Sequence, residues 1–204
     1  MKTKFMLATA IAAAFSCTVA IADTINFSQF GPDGTALTGP LSGLTTDGVE
    51  VTITGSNQLG FTRETEGASW AGIFPAGAPL LWDNWGSGTV TLAFASDIAS
   101  LTLAAQSNYS GAYTETAYAY DVGNNLLGSA FATSNNTLGA DEGTVPFLNL
   151  AFANVRAVVF EMTNDAAGFA LYGGAGANNV PEPMSLALLG IGLAGLTLSR
   201  RRRS

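Results

Sequence analysis

Residues 112–120 read AYTETAYAY. In an extended chain successive side chains point to opposite faces, so Thr114, Thr116, Tyr118 and Tyr120 share one side and Tyr113, Glu115, Ala117 and Ala119 the other. Residues 121–125 (DVGNN) then read as a turn and 126–132 (LLGSAFA) as a returning strand, which predicts a β-hairpin. The same grammar spreads outward. Upstream, 88–94 (GTVTLAF) and 98–105 (IASLTLAA) read as a strand pair joined through 95–97, and further strands are predicted at 24–30, 49–54, 145–152, 155–162 and 168–172. Nothing between them holds a sustained 3.6-residue apolar stripe. Ten or so short strands separated by turn residues predict an all-β fold, an antiparallel β-sandwich of jelly-roll-like type. Residues 31–47 (GPDGTALTGPLSGLTTD) are loop-rich, either an ordered insertion or a mobile arm.

Both ends of the chain carry signals of a different kind. Lys2 and Lys4 precede an apolar run at 5–15, and Ala20-Ile21-Ala22 forms an A-x-A site, so signal peptidase is expected to remove residues 1–22 and leave Asp23 first. The single cysteine, Cys17, falls inside the removed peptide, so the mature domain relies on its core and not on disulfides. The expected ectodomain spans 23–172, and 173–179 (GGAGANN) has the composition of a linker. Residues 180–204 then run Val-Pro-Glu-Pro, an uncharged apolar stretch at 184–199, and Arg200, Arg201, Arg202 and Arg203. Prolines at 181 and 183 hold Glu182 on an extended segment that an enzyme can read. As a helix, the apolar stretch reaches roughly 24 Å, short of a hydrocarbon core of ~30 Å, so it spans with help from local thinning or its flanking arginines. The arginines are a stop-transfer signal that places the C-terminus in the cytoplasm. A plain C-terminal anchor uses the same physics but leaves the Pro-Glu-Pro triplet unexplained.

That triplet, with the apolar segment and arginine cluster behind it, closely resembles the PEP-CTERM sorting signal of Gram-negative bacteria that make extracellular polysaccharide. The resemblance covers residues 180–204. It implies recognition at Pro181, Glu182 and Pro183 by exosortase in the inner membrane, cleavage near the motif, and release of the exported part to the cell surface or extracellular matrix. Tails of this kind also occur on proteins labelled ice-binding. A further resemblance, to jelly-roll ectodomains that precede such tails, rests on Tyr120-Asp121-Val122-Gly123-Asn124 and Gly168-Phe169-Ala170. Where those domains carry an Asp before the last turn, this chain has Leu171-Tyr172-Gly173.

Between residues 23 and 179, Arg63 and Arg156 stand against 14 carboxylates, a net of about −12. Such a surface repels nucleic acid and anionic polysaccharide or lipid, so neutral polysaccharide, cations and basic surfaces are the expected partners, with solubility as the simplest role for the charge. The chain has no histidine, and the mature domain lacks lysine and cysteine, which removes the usual general base, thiol nucleophile, Schiff-base amine and zinc sets. A non-catalytic protein without cofactor is expected. The remaining catalytic option is a carboxylate pair as in a glycoside hydrolase, with Glu64, Glu66, Asp83 and Glu115 as nominal members.

The better-supported candidate is a binding surface. Trp70, Trp82 and Trp85 fall in residues 70–88 (WAGIFPAGAPLLWDNWGSG), and Trp82, Asp83, Asn84 and Trp85 combine aromatic faces with polar groups suited to sugar hydroxyls. The alternative is that these tryptophans fill the core. Asp141, Glu142 and Asp165 offer oxygen ligands for calcium without an EF-hand spacing. Thr52 with Thr54, and Thr114 with Thr116, supply two threonines per strand toward an ice-binding array.

Overall fold

The alternation at 112–120 is realised as β8 (Gly111–Tyr120), in which Tyr113, Glu115, Ala117 and Ala119 are buried and the intervening residues are not. The computed structural model describes residues 22–56, 59–84, 86–136 and 145–174. The other strands among them are β1 (Thr35–Leu37), β2 (Leu41–Leu44), β3 (Glu50–Gly55), β4 (Phe61–Thr65), β5 (Pro79–Trp82), β6 (Thr89–Ile98), β7 (Leu101–Ser107), β9 (Leu126–Asn136), β10 (Leu148–Leu150), β11 (Val155–Met162) and β12 (Phe169–Tyr172). They form two antiparallel six-stranded sheets stacked as a sandwich, ordered β1-β4-β5-β12-β7-β10 and β2-β3-β6-β11-β8-β9. The expected signal peptide, linker and sorting tail lie outside the described residues, and among those described no helix is long and apolar enough to cross a membrane.

The inner faces of both sheets supply one core. Phe61, Leu81, Leu103, Phe169 and Leu171 from the first sheet meet Val51, Ile53, Leu92, Val158 and Phe160 from the second. Phe160 and Phe169 touch across the gap with ring centroids 5.5 Å apart. The β8–β9 hairpin turns where expected. Asn124 takes φ 61, and the Asp121 carboxylate accepts the Asn125 amide at 2.8 Å, a local bond that fixes the turn.

Several expectations are corrected. Residues 24–30 are not a strand. Asp23 and Ile25 make single bridges to Leu101 and Thr45, after which Phe27–Phe30 forms one 3-10 turn. Asn26 offers its side-chain oxygen to the Ser28 amide at 3.0 Å, satisfying a backbone donor locally in place of a ladder partner. The pair expected at 88–105 is instead a crossover. β6 pairs β3 and β11 in one sheet, whereas β7 pairs β10 and β12 in the other. All seven β7 residues are buried, so the strand needs cover on both faces, which the sandwich interior and the loop over the outer face provide. Residues 31–47 contain β1 and β2, joined across a cis Gly39-Pro40 bond. The strand expected at 145–152 shortens to β10, where Pro146 has no amide hydrogen to donate. β4 and β5, like β1 and β2, form where the sequence pattern predicts no strand.

Candidate functional site

The outer face of the first sheet is not open to solvent throughout. Register aligns Thr62 with Trp82 and Glu64 with Leu80, then Trp82 with Ala170, Ala170 with Gln106, and Tyr172 with Ala104. Residues 66–78 fold over this face and bring Trp70, Ile73, Phe74 and Ala78 into a second apolar cluster with Leu80, Ala104, Val145 and Ala170. Gln106 is the polar anchor beneath. Its Oε1 accepts from Trp70 Nε1 at 3.1 Å and from the Ile73 amide at 3.2 Å, and it is 1 % exposed. A Cβ at Gly72 would stand 1.9 Å from that oxygen, which is why a glycine occupies the crossing. The Glu66 carboxylate fixes the same loop by accepting the Gly72 amide at 2.9 Å.

An aromatic layer results. Trp70 and Trp82 lie 6.2 Å apart, tilted by 57°, and Tyr172 meets Phe74 and Phe147 edge-on at 5.7 and 6.0 Å. Trp70 is buried and Trp82 half-buried.

The tetrad that suggested sugar binding does not act as a unit. Trp82 points to the outer layer, while Asp83 turns inward at 2 % exposure and accepts the Phe169 amide at 2.7 Å. Burial, reinforced by the nearby Asp165 charge, pushes the Asp83 carboxyl up to about 7 against the pull of that hydrogen bond. Asn84 sits at φ 44, in the left-handed region that asparagine tolerates, and its Oδ1 accepts the Thr62 hydroxyl at 2.7 Å. Trp85 lies outside the described residues, as do Asp141 and Glu142. Asp165 accepts the Gly88 amide at 3.0 Å. Among the described residues no three His, Cys, Asp or Glu side chains gather as a metal-holding group.

The four carboxylates considered for hydrolysis are all buried, but on two sides of the first sheet. Glu64 and Glu66 belong to the outer layer. Glu115 stands in the sandwich core, fully buried, and its Oε2 accepts the Ala105 amide at 2.8 Å while the Tyr113 hydroxyl donates to the Ala105 carbonyl at 3.2 Å. The reason is topological. β10 pairs with β7 only at Leu101 to Leu103, so Ala105 loses its ladder neighbour and two β8 side chains stand in for the missing strand. Burial pushes the Glu115 carboxyl up to about 9, with the Ala105 hydrogen bond acting in the opposite direction.

The threonines gather more than spacing suggested. Thr52, Thr54, Thr89, Thr91, Thr114, Thr116 and Thr133 all fall on the outer face of the second sheet, although Ala157, Val159 and Glu161 of β11 run through its middle. Strand order, and not the local spacing along any one strand, brings them together.

The described chain is thus a two-sheet β-sandwich preceding a basic, apolar tail. Residues 179–203 match the model of the PEP-CTERM protein-sorting motif, so the chain carries that motif, which implies export and membrane-anchored processing by exosortase. No curated protein matches. Among solved structures, a DUF4465 family protein from Bacteroides caccae is similar at 14 % identity and a TM-score of 0.46, with 74 % of this chain and 96 % of that one covered. A family 29 carbohydrate-binding module is similar at 16 % identity and a TM-score of 0.33, covering 74 % of this chain and 99 % of that one. Neither likeness bears on function.

Proposed function

We propose that this is an exported, exosortase-processed protein of the cell surface or extracellular matrix, with residues 23–172 as a non-catalytic, jelly-roll-like domain. It serves the polysaccharide layer as a structural or weakly binding component. The observation that carries the reading is the match of residues 179–203 to the sorting motif, with Pro181, Glu182 and Pro183 followed by the apolar stretch and Arg200 to Arg203. Signal peptidase acts between Ala22 and Asp23, and the tail holds the protein in the inner membrane, C-terminus inward, until exosortase cuts. The non-catalytic part is supported by Asp83 and Glu115, each of which is buried and gives one carboxylate oxygen to a backbone amide, of Phe169 and of Ala105. Fractionation of the native bacterium tests the sorting: wild type should leave the inner membrane while Glu182→Ala accumulates there, and equal distribution would reject the reading.

A second reading, a carbohydrate-binding module for neutral polysaccharide, is favoured by the half-buried Trp82 ring beside Trp70. Truncating an aromatic anchor at the centre of a contact should weaken binding about tenfold. In affinity electrophoresis through a neutral glucan, Trp82→Ala should therefore migrate freely where wild type is retarded; identical mobilities would remove this reading.

A further inference from the structure

A sandwich of two open sheets has four edges, and three of them here are short. β1 and β10, at the ends of the first sheet, have three residues each, and β2, at one end of the second, has four and follows Pro40 directly. β9 is different. It has 11 residues, carries no charge and no proline (LLGSAFATSNN), and pairs with β8 on one side only. Past the irregularity beside Tyr120, its register runs unbroken from Gly128 opposite Ala119 to Asn136 opposite Gly111. Lysine, proline, bulges and short length are the usual means of blunting an edge, and along that run β9 uses none of them.

Backbone hydrogen bonds fix which groups face outward. The Thr163 amide donates to the Thr114 carbonyl at 2.9 Å and the Thr114 amide donates to the Thr163 hydroxyl at 2.8 Å, so the backbone polar groups of Thr114 point to the β11 side. In an antiparallel strand the N–H and C=O of one residue leave on the same side, and successive residues alternate. Tyr113, Glu115, Ala117 and Ala119 therefore turn theirs toward β9, where they meet Ser134, Ala132, Ala130 and Gly128. The residues between, Ser129, Phe131, Thr133 and Asn135, direct theirs to the free edge. All four side chains are exposed and uncharged, Phe131 at 72 %.

We propose that this edge pairs with its counterpart in a second copy of the chain, antiparallel across a two-fold axis, so that two six-stranded sheets join into one. The edge is its own complement. With Ala132 on the axis, Ser129 faces the partner's Asn135 and Phe131 faces the partner's Thr133, and all four residues exchange N–H···O=C bonds with the copy. An aromatic ring beside a β-branched side chain, and a hydroxyl beside an amide, are favourable cross-strand neighbours. Charge selects the occupant. A two-fold axis brings like charges together, and the domain carries about −12, so a self-pairing strand has to be free of carboxylates, as β9 is. A basic partner, which the rest of the surface attracts, finds no carboxylate on β9 to hold it. The contact is small, which makes the dimer weak and reversible. The inference stands on the sheet edge and not on the tail, so it holds or fails independently of export.

The test is sedimentation equilibrium of the full-length chain in density-matched detergent, for wild type, Phe131→Lys, Thr133→Pro and Ser42→Lys. Wild type should show a monomer–dimer equilibrium that tightens as salt is raised, since screening relieves the net charge. Phe131→Lys, at an exposed position, should raise the Kd about tenfold or more. Thr133→Pro removes an amide hydrogen that faces the free edge and not β8, so it should weaken the dimer likewise with the circular dichroism spectrum unchanged. Ser42→Lys charges the opposite edge of the same sheet, on β2, and should leave the Kd where it is. Association through the tail would survive both β9 variants and overturn the proposal. So would a wild-type chain still monomeric at about 1 mM, or a Ser42→Lys variant that dissociates as readily as Phe131→Lys.

Discussion

Glu115→Gln is expected to stabilise the protein at neutral pH, although it alters a fully buried side chain in the core. The glutamine keeps the shape and an oxygen to accept the Ala105 amide, while removing a group whose ionisation the core opposes. With the folded value pushed up to about 9 and the ordinary value at 4.5, the folded state holds a proton that the unfolded chain has released across that window. The stability Glu115 contributes is therefore fully present below pH 4.5 and is lost as pH rises toward 9, at about 1.4 kcal/mol per pH unit. At pH 7 the wild type should be about 3 kcal/mol less favoured than at pH 4 on account of this residue alone. Urea denaturation of both proteins at several pH values between 5 and 8 reads the difference directly. The wild-type and Gln curves should diverge with rising pH, Gln being the more stable. A difference that stays flat with pH, or a Gln variant that is less stable at pH 8, would refute the reasoning.

Asp83→Asn should behave similarly in a lower window. The amide oxygen still accepts the Phe169 amide, and the gain over wild type should grow from about pH 4 to 7 and then level off, as seen in melting temperature against pH. Gln106→Ala removes the acceptor of Trp70 Nε1 and of the Ile73 amide, and should cost roughly 2–3 kcal/mol with a red shift in tryptophan emission as the 66–78 loop loosens. Phe160→Ala opens the centre of the core opposite Phe169 and should cost about 3–5 kcal/mol in chemical denaturation.

The parts legible in the sequence were those where one face of a strand is buried and the other is not. β8 and β11 stand out because less buried residues separate Tyr113, Glu115 and Ala117, or Val158, Phe160 and Met162. β7 misled because all seven of its residues are buried, and a strand covered on both faces leaves no alternation from which to infer its sheet. β4 carries no strand signal because it buries the adjacent Arg63 and Glu64, both charged, in positions that ordinary rules assign to solvent. The site shows the same division. The tryptophan-rich stretch was recognised as significant, but Asp83 and Asn84 are directed by Phe169 and Thr62, far away in sequence, and the Gln106 anchor carries no local signal at all.

The central claim, export followed by removal of the tail, is tested most directly by the intact mass of the protein recovered from its own bacterium, with and without Glu182→Ala. The wild-type chain should begin at Asp23 and end near Pro181, and the variant should begin at the same residue but continue through Ser204. A wild-type mass that still includes the apolar stretch and the four arginines would contradict it.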